Sequence, residues 1–260
     1  MSYGLQISAS GVMTALYRQD VFANNLANSD TIGFKSDIPS TLARQSVRKE
    51  DGVPFLPSNA LLERLGGGVL MNPNRVEFTQ GNLRDTGNDL DLGVLGEGFF
   101  VVRDAADSSG DSLRLTRDGR MTRNKEGTLV MASTGMPVLD VQNRPIQLSA
   151  FGDITVGGDG TIRQDNQAIA RLAFIDIPDR MQIRKQGHSL FLPNSDALAA
   201  ALPAKGTIKQ HVVEDASVDP VRALMAMTSA AREVDSNVSM MQQHDKMTER
   251  AISSLGRPTT

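Results

Sequence analysis

The chain has 260 residues, of which 40% are hydrophobic and 22% charged, enough apolar material for one or two packed units and too little charge for wholesale disorder. It holds 0 Cys and 0 Trp, with 9 Phe and 2 Tyr as its only aromatics, which excludes disulfide scaffolds, thiolate metal sites, iron–sulfur clusters and cysteine nucleophiles. With 27 Lys and Arg against 30 Asp and Glu and a net charge of −3, neither a basic footprint nor a stacking platform for nucleic acid is expected.

At the N-terminus, Leu5, Ala9, Val12, Leu16, Gln19, Ala23 and Leu26 step alternately by four and three, placing one apolar stripe on a helix of about 24 residues. Met1 to Asp20 lacks the charged start, apolar run and small-residue cleavage site of a secretory signal, so no cleavable signal peptide is expected. No segment approaches the roughly 18 uninterrupted apolar residues of a membrane span, so no membrane insertion is expected.

Ser36 to Asn74 is broken by Pro39, Pro54, Pro57, Pro73 and the run Gly66-Gly67-Gly68, and reads as an extended excursion. From Arg75 to Val213 the period becomes two. Phe99–Val102, Leu113–Thr116, Thr128–Met131, Ile154–Val156 and Leu172–Ile175 are short apolar or β-branched runs, and they predict strands. Asp118-Gly119, Glu126-Gly127 and Asp159-Gly160 predict tight hairpins with positive φ. The spacers are too short for crossover helices, so an antiparallel barrel-like or sandwich domain follows.

The period returns to helical near the C-terminus: Leu224, Met227, Ala231, Val234, Val238, Met241, Asp245, Thr248, Ile252 and Leu255 alternate steps of three and four. Asp219-Pro220 supplies the cap and first turn, and Gly256 with Pro258 marks the stop. A helix from Pro220 to Leu255 would be a rod of about 54 Å. Such a seam needs a partner, either the other terminal helix, neighbouring copies or the sheet of the middle region. The fold class expected is therefore mainly β with long terminal α-helices: an antiparallel β domain (75–213) flanked by an N-terminal helix (1–35) and a C-terminal helix (214–260) paired as a coiled coil, with the excursion (36–74) between.

No catalytic constellation is visible. His188, His211 and His244 lack metal-ligand spacing, and Gly96-Glu97-Gly98 leads into a strand rather than a phosphate-binding helix. Asp85, Asp89 and Asp91 lack the rest of a calcium loop, while Asp118 and Asp159, the nearest thing to a carboxylate pair for a wall hydrolase, sit at turn positions. No enzyme, cofactor or metal is expected.

The stretch Ala23-Asn24-Asn25-Leu26-Ala27-Asn28 through Thr31-Ile32-Gly33-Phe34-Lys35 is a helix end carrying amides, then a glycine turn and an apolar anchor. Its amides are placed either to bond a neighbour's backbone or to cap their own helix. The stretch resembles, almost residue for residue, the N-terminal signature of the bacterial flagellar rod and hook proteins. The resemblance continues in order at Gln80-Gly81-Asn82-Leu83, Leu90-Asp91-Leu92-Gly93-Val94 into Gly96–Phe100, Leu115-Thr116-Arg117-Asp118-Gly119, and Ile154–Gly160.

The resemblance implies a structural subunit of the flagellar basal-body rod, a periplasm-crossing tube that transmits torque to the hook. It implies passage through the flagellar type III export apparatus, and as partners other copies of the chain, neighbouring rod and hook proteins, and peptidoglycan nearby. Asp219-Pro220-Val221-Arg222-Ala223-Leu224-Met225 is more similar to the proximal members of the family. The length, Gln80-Gly81-Asn82-Leu83 and the excursion before it suit the distal members, the alternative within the family, although Ala230-Ala231-Arg232-Glu233-Val234 departs from their Gln-Arg-Ala-Tyr-Glu pattern. The alternative of another class is a β-domain module for cell-wall glycan. The assembly interface expected comprises Leu5, Val12, Leu16, Ala23, Asn24, Asn25, Leu26, Asn28, Gly33 and Phe34, with Leu224, Met227, Val234, Val238, Met241, Ile252 and Leu255.

Overall fold

The computed structural model of the chain describes residues 3–46, 49, 66–104 and 113–255. Helix α1 (Tyr3–Ala27) is followed by strands β1 (Asp37–Ala43), β2 (Val69–Val76) and β3 (Leu83–Asp85). Then come β4 (Leu92–Leu95), β5 (Phe99–Arg103), β6 (Leu113–Thr116), β7 (Met121–Arg123) and β8 (Leu129–Met131). Strands β9 (Ile154–Val156), β10 (Thr161–Gln164), β11 (Gln167–Arg171), β12 (Phe174–Asp176), β13 (Ile183–Gly187) and β14 (Leu190–Pro193) precede the short helix α2 (Ser195–Ala199). The last strands, β15 (Leu202–Pro203), β16 (Thr207–Gln210) and β17 (Val212–Glu214), lead to α3 (Pro220–Leu255).

These elements form two units. The first is Met1–Ala27, Asp37–Arg75 and Asp219–Thr260; the second is Asn28–Ser36 and Val76–Val218. The excursion therefore divides: β1 and β2 pair with each other inside the helical unit, whereas 50–65 lie outside the described residues. The chain passes from one unit to the other after Ala27, Ser36, Arg75 and Val218.

In the helical unit, α3 starts where its sequence directs. The Asp219 carboxylate accepts from the Val221 and Arg222 amides at 3.0 and 3.2 Å, satisfying donors that the first turn leaves unpaired. Pro220 occupies the first helical position, where its missing N–H costs nothing. The helix continues to Leu255; the stop expected at Gly256 and Pro258 lies outside the described residues.

The second unit is β-rich, and every strand pairing resolved within it is antiparallel. Its largest sheet has the order β13-β14-β6-β5-β12-β15. Strand β5 explains itself: Phe99-Phe100-Val101-Val102 is apolar at every position because both of its faces are covered. Phe99 and Val101 enter a core with Leu115, Leu139 and Phe191, and Phe100 and Val102 a second core with Leu92, Leu129, Met131 and Ile162. Smaller sheets, β11-β10-β9, β16-β4, β17-β3 and β7-β8, wrap these cores.

The hairpins differ in part from expectation. Gly127 (φ 83°) and Gly160 (φ 82°) take the left-handed conformation between the paired strands β7 and β8 and β9 and β10. Asp118-Gly119 does not close a hairpin, since β6 pairs with β5 and β14 while β7 pairs with β8. Gly119 is instead required by close approach, since a Cβ there would fall 1.6 Å from the Leu92 carbonyl oxygen. Two further left-handed turns use no glycine in the left-handed pair: Asp165-Asn166 (φ 51° and 66°) and His188-Ser189 (φ 51° and 55°).

Candidate assembly surface

Helices α1 and α3 run antiparallel in contact, and small residues set how near they come. A Cβ on Gly4 would fall 2.5 Å from the His244 ring, and one on Gly11 would fall 2.9 Å from the Asn237 side chain. One step further, Arg18 pairs with Glu233 at 2.8 Å. Ser8, Thr14, Ala15 and Val21 are buried along α1, and Ala230 is the fully buried residue of α3. The face of α1 that meets α3 is thus Gly4, Ser8, Gly11, Ala15 and Arg18, one position away from the stripe of large apolar residues that periodicity selects. A shift of one residue is about 100° of helix rotation, so large side chains turn away from the helix–helix contact. Met13 and Leu16 on α1 and Leu224, Met225, Val238, Met240, Met247 and Ile252 on α3 are exposed, Ile252 at 67%.

The β1–β2 ribbon is fixed to α1 by polar contacts. The Val69 amide donates to Ser10 Oγ at 3.3 Å, and Tyr17 donates its hydroxyl to the Asn72 carbonyl at 3.2 Å. Asn25 closes the arrangement: its Nδ2 donates to the Asp37 carbonyl at 2.8 Å and its Oδ1 accepts from the Asp37 amide at 2.9 Å. The buried amide therefore bonds backbone of its own chain, at the start of β1, rather than capping α1.

The rest of the signature lies in the β unit. Gly33 has φ 68°, its amide donates to the Glu214 carbonyl at 2.7 Å, and a Cβ there would sit 2.5 Å from the Asp118 amide nitrogen. Conformation and space both demand glycine. Phe34 is buried with the Lys185 ammonium 4.0 Å from its ring centroid, a cation–π contact. Lys35 is 0% exposed and donates to Glu214 Oε1 at 2.5 Å and to the Thr79 carbonyl at 2.7 Å. Arg117 reaches the other oxygen of Glu214, Oε2, at 3.1 Å, and the Gly81 amide donates to Oε1 at 3.0 Å. Burial pushes the Lys35 pKa below its ordinary value, and the positive charges of Arg117 and Arg180 act in the same direction against the attraction of Glu214. Burial likewise lowers that of Arg117 against the attraction of Glu214. Backbone bonds run beside this cluster: Ser217 donates its amide to the Phe34 carbonyl at 3.1 Å and the Ser36 amide donates to Ser217 Oγ at 3.3 Å. The segments that follow α1 and precede α3 are held to each other.

The expected interface residues are consequently spread over different environments. Leu5, Val12 and Leu26 on α1, and Met227, Val234 and Met241 on α3, are half-buried. Leu16, Ala23, Asn24, Leu224, Val238 and Ile252 are exposed, whereas Asn25, Gly33 and Phe34 are buried inside the chain. Asn28 is half-buried, its Oδ1 accepting from the Thr31 hydroxyl at 3.2 Å. The side chain of Leu255 lies outside the described residues. Periodicity overlooked Gly4, Gly11 and the Lys35–Glu214–Arg117 cluster; the heptad spacing of small residues Gly4, Ser8, Gly11 and Ala15 was the available signal for the first two. Asp159, considered for acid–base chemistry, binds the Thr161 hydroxyl and amide at 2.7 and 3.1 Å, contacts that lower its pKa. Asp118 is held by Arg120 at 2.8 and 3.0 Å.

Two distant terminal helices meeting in one unit, with a β-rich body in the sequence between them, define a class of chain whose ends are built together. The comparisons supply its family. The model described as flagella basal body rod protein matches residues 5–35, that of the flagellar hook protein FlgE/F/G D1 domain matches 93–164, and that of the flagellar basal body rod FlgEFG protein C-terminal matches 209–254. The flagellar basal-body rod protein FlgF of Caulobacter vibrioides is 31% identical over 99% of both chains. The rod protein FlgG of Agrobacterium fabrum is 30% identical over 94% of this chain and 95% of its own. The flagellar hook-basal body complex protein FlhO of Bacillus subtilis is 24% identical over 99% of this chain and 100% of its own. The chain belongs to the flagellar basal-body rod protein family.

Proposed function

We propose that the chain is a non-catalytic structural subunit of the flagellar rod, polymerising through α1 and α3 at the proximal end of a shaft that carries torque to the hook. The proximal position rests on full-length likeness to proteins named FlgF from Caulobacter vibrioides and Mesorhizobium japonicum. One observation carries the assembly role: the small-residue face of α1 is spent on α3, while Met13, Leu16, Leu224, Met225, Met247 and Ile252 remain exposed. Apolar residues exposed in number on one unit mark a surface meant to be covered. Neighbouring subunits would supply coiled-coil seams of the kind that resist twist. The helices would form the assembly layer and the β unit its outer layer, with delivery to the periplasm through the flagellar type III apparatus.

The test is a double substitution, Leu224→Asp with Ile252→Asp, assayed by recovery of the chain in isolated basal bodies and by swimming. Incorporation and motility should be lost while the β-sheet circular dichroism of the purified chain is unchanged. Normal incorporation would overturn the reading.

A further inference from the structure

Two features of the β unit have no role in the helical surface. The first is Phe151, which is 89% exposed; every other described phenylalanine is buried or half-buried. Its loop is rigidly built. Gln164, itself 5% exposed, accepts from the Ser149 amide at 2.9 Å and donates to the Ser149 and Phe151 carbonyls at 3.2 and 2.7 Å. On the far side Asp165 and Asp153 bond each other's backbone, with Asp165 Oδ1 accepting from the Asp153 amide at 3.3 Å and the Asp153 carbonyl from the Asp165 amide at 3.1 Å. Gly152, at φ 116°, fits beneath the Asp165 carboxylate where a Cβ would collide with it. A buried glutamine thus holds in place a loop whose large side chain meets only water, an arrangement that stabilises nothing in the single chain.

The second is an open cavity of about 290 Å³ lined by Phe78, Gln80, Gly96, Glu97, Arg117 and Arg180. Phe78 stands edge-on to Phe99 with ring centroids 5.5 Å apart, and the Arg180 guanidinium lies 5.3 Å from the Phe78 centroid. The walls are preformed, since Gln80 donates to the Val94 carbonyl at 2.9 Å and accepts from the Gly96 amide at 3.0 Å. Both arginine charges are already opposed, Arg117 by Glu214 at 3.1 Å and Arg180 by Asp176 at 2.7 Å, and Glu97 on the rim repels a carboxylate. What suits the cavity is a neutral ring, which gains edge contacts from Phe78 and cation–π attraction from the guanidinium groups. A volume of about 150 Å³ is enough for benzene, and Phe151 is not part of the lining.

We propose that Phe151 of one copy inserts into the Phe78–Arg180 cavity of the next. A knob and a socket at different places on one chain allow a heterologous contact that repeats from copy to copy, as a rod subunit requires, as well as a reciprocal two-fold one. The inference rests on the rod-subunit reading above. It is tested with p-benzoylphenylalanine in place of Phe151, irradiated in isolated basal bodies, with adducts mapped by mass spectrometry. The expected result is a dimer of this chain linked within 78–97, 117 or 180. Adducts elsewhere or on another protein, or none although the chain is present in basal bodies, would overturn the insertion and leave the rod reading standing. Absence of the unsubstituted chain from basal bodies would overturn the rod reading itself, and the insertion with it. In a second arm Phe151→Ser, at an exposed site, should lower incorporation about tenfold or more with the melting temperature unchanged; unaltered incorporation would refute the insertion.

Discussion

At the residue scale, Glu214 has the largest energetic consequence. Its carboxylate faces two buried cations and one backbone amide, so Glu214→Gln strands Lys35 and Arg117 as uncompensated charges. A loss of about 3–5 kcal/mol is expected, read as a lowered urea midpoint of the β unit. A midpoint within the error of the unsubstituted chain would show that water already reaches the site. The cluster was hidden in the sequence because its members are far apart: Lys35 and Glu214 are separated by 179 positions, and nothing local distinguishes a buried lysine from a solvated one. Asp140 provides the pH counterpart. Burial pushes its pKa up, but the Arg144 and Gln142 amides and the Arg144 side chain outweigh burial and hold it below the ordinary 3.8. A carboxylate lowered by folding stabilises fully above its unfolded pKa, and that stability is lost as pH falls through the folded value. Asp140→Asn should therefore be less stable than the unsubstituted chain at pH 7, with the difference shrinking below about pH 4. Equal shrinkage on the alkaline side would point to a different group.

At the element scale, the strands of the β unit were legible because each must satisfy its own faces: Phe99–Val102 is uniformly apolar and both of its faces are buried. The helices were legible in position, and α3 in its Asp219-Pro220 start, yet the side by which α1 meets α3 was not. Periodicity weighs residues by apolarity, whereas two close helices select for smallness, so the stripe chosen from Leu5, Val12 and Leu16 lies one position from the face that Gly4, Gly11 and Ala15 provide. The close approach predicts that Gly11→Val loses about 1–3 kcal/mol through overpacking, seen as reduced helical circular dichroism on mild heating. Asn237→Ala, which removes the side chain that a Cβ at position 11 would meet, should recover much of it as a coupled pair. Strictly additive effects would mean that the helices separate at that level.

For the whole molecule, the two units should differ in resistance. The β unit holds two apolar cores, while α3 buries one residue fully over its described length. Regions with few buried contacts open at lower free energy. Brief proteolysis of the dilute chain should cut within Asp219–Thr260 first and leave a resistant fragment containing Val76–Val218; cleavage in both at one rate would contradict this. The division was only partly visible beforehand, because the sequence groups residues 28–35 with the N-terminal helix and Ser36 with the excursion, yet Asn28–Ser36 belongs with the β unit. The pairing of Arg18 with Glu233 also sets an order of events. These partners lie 215 positions apart, so a chain that emerges N-terminus first must hold α1 in waiting until nearly all the rest has followed. Contacts of such sequence separation form slowly, and the β unit can close in the interval. The paired helices are therefore finished last, which shortens the time during which their exposed apolar side chains stand on an incomplete chain.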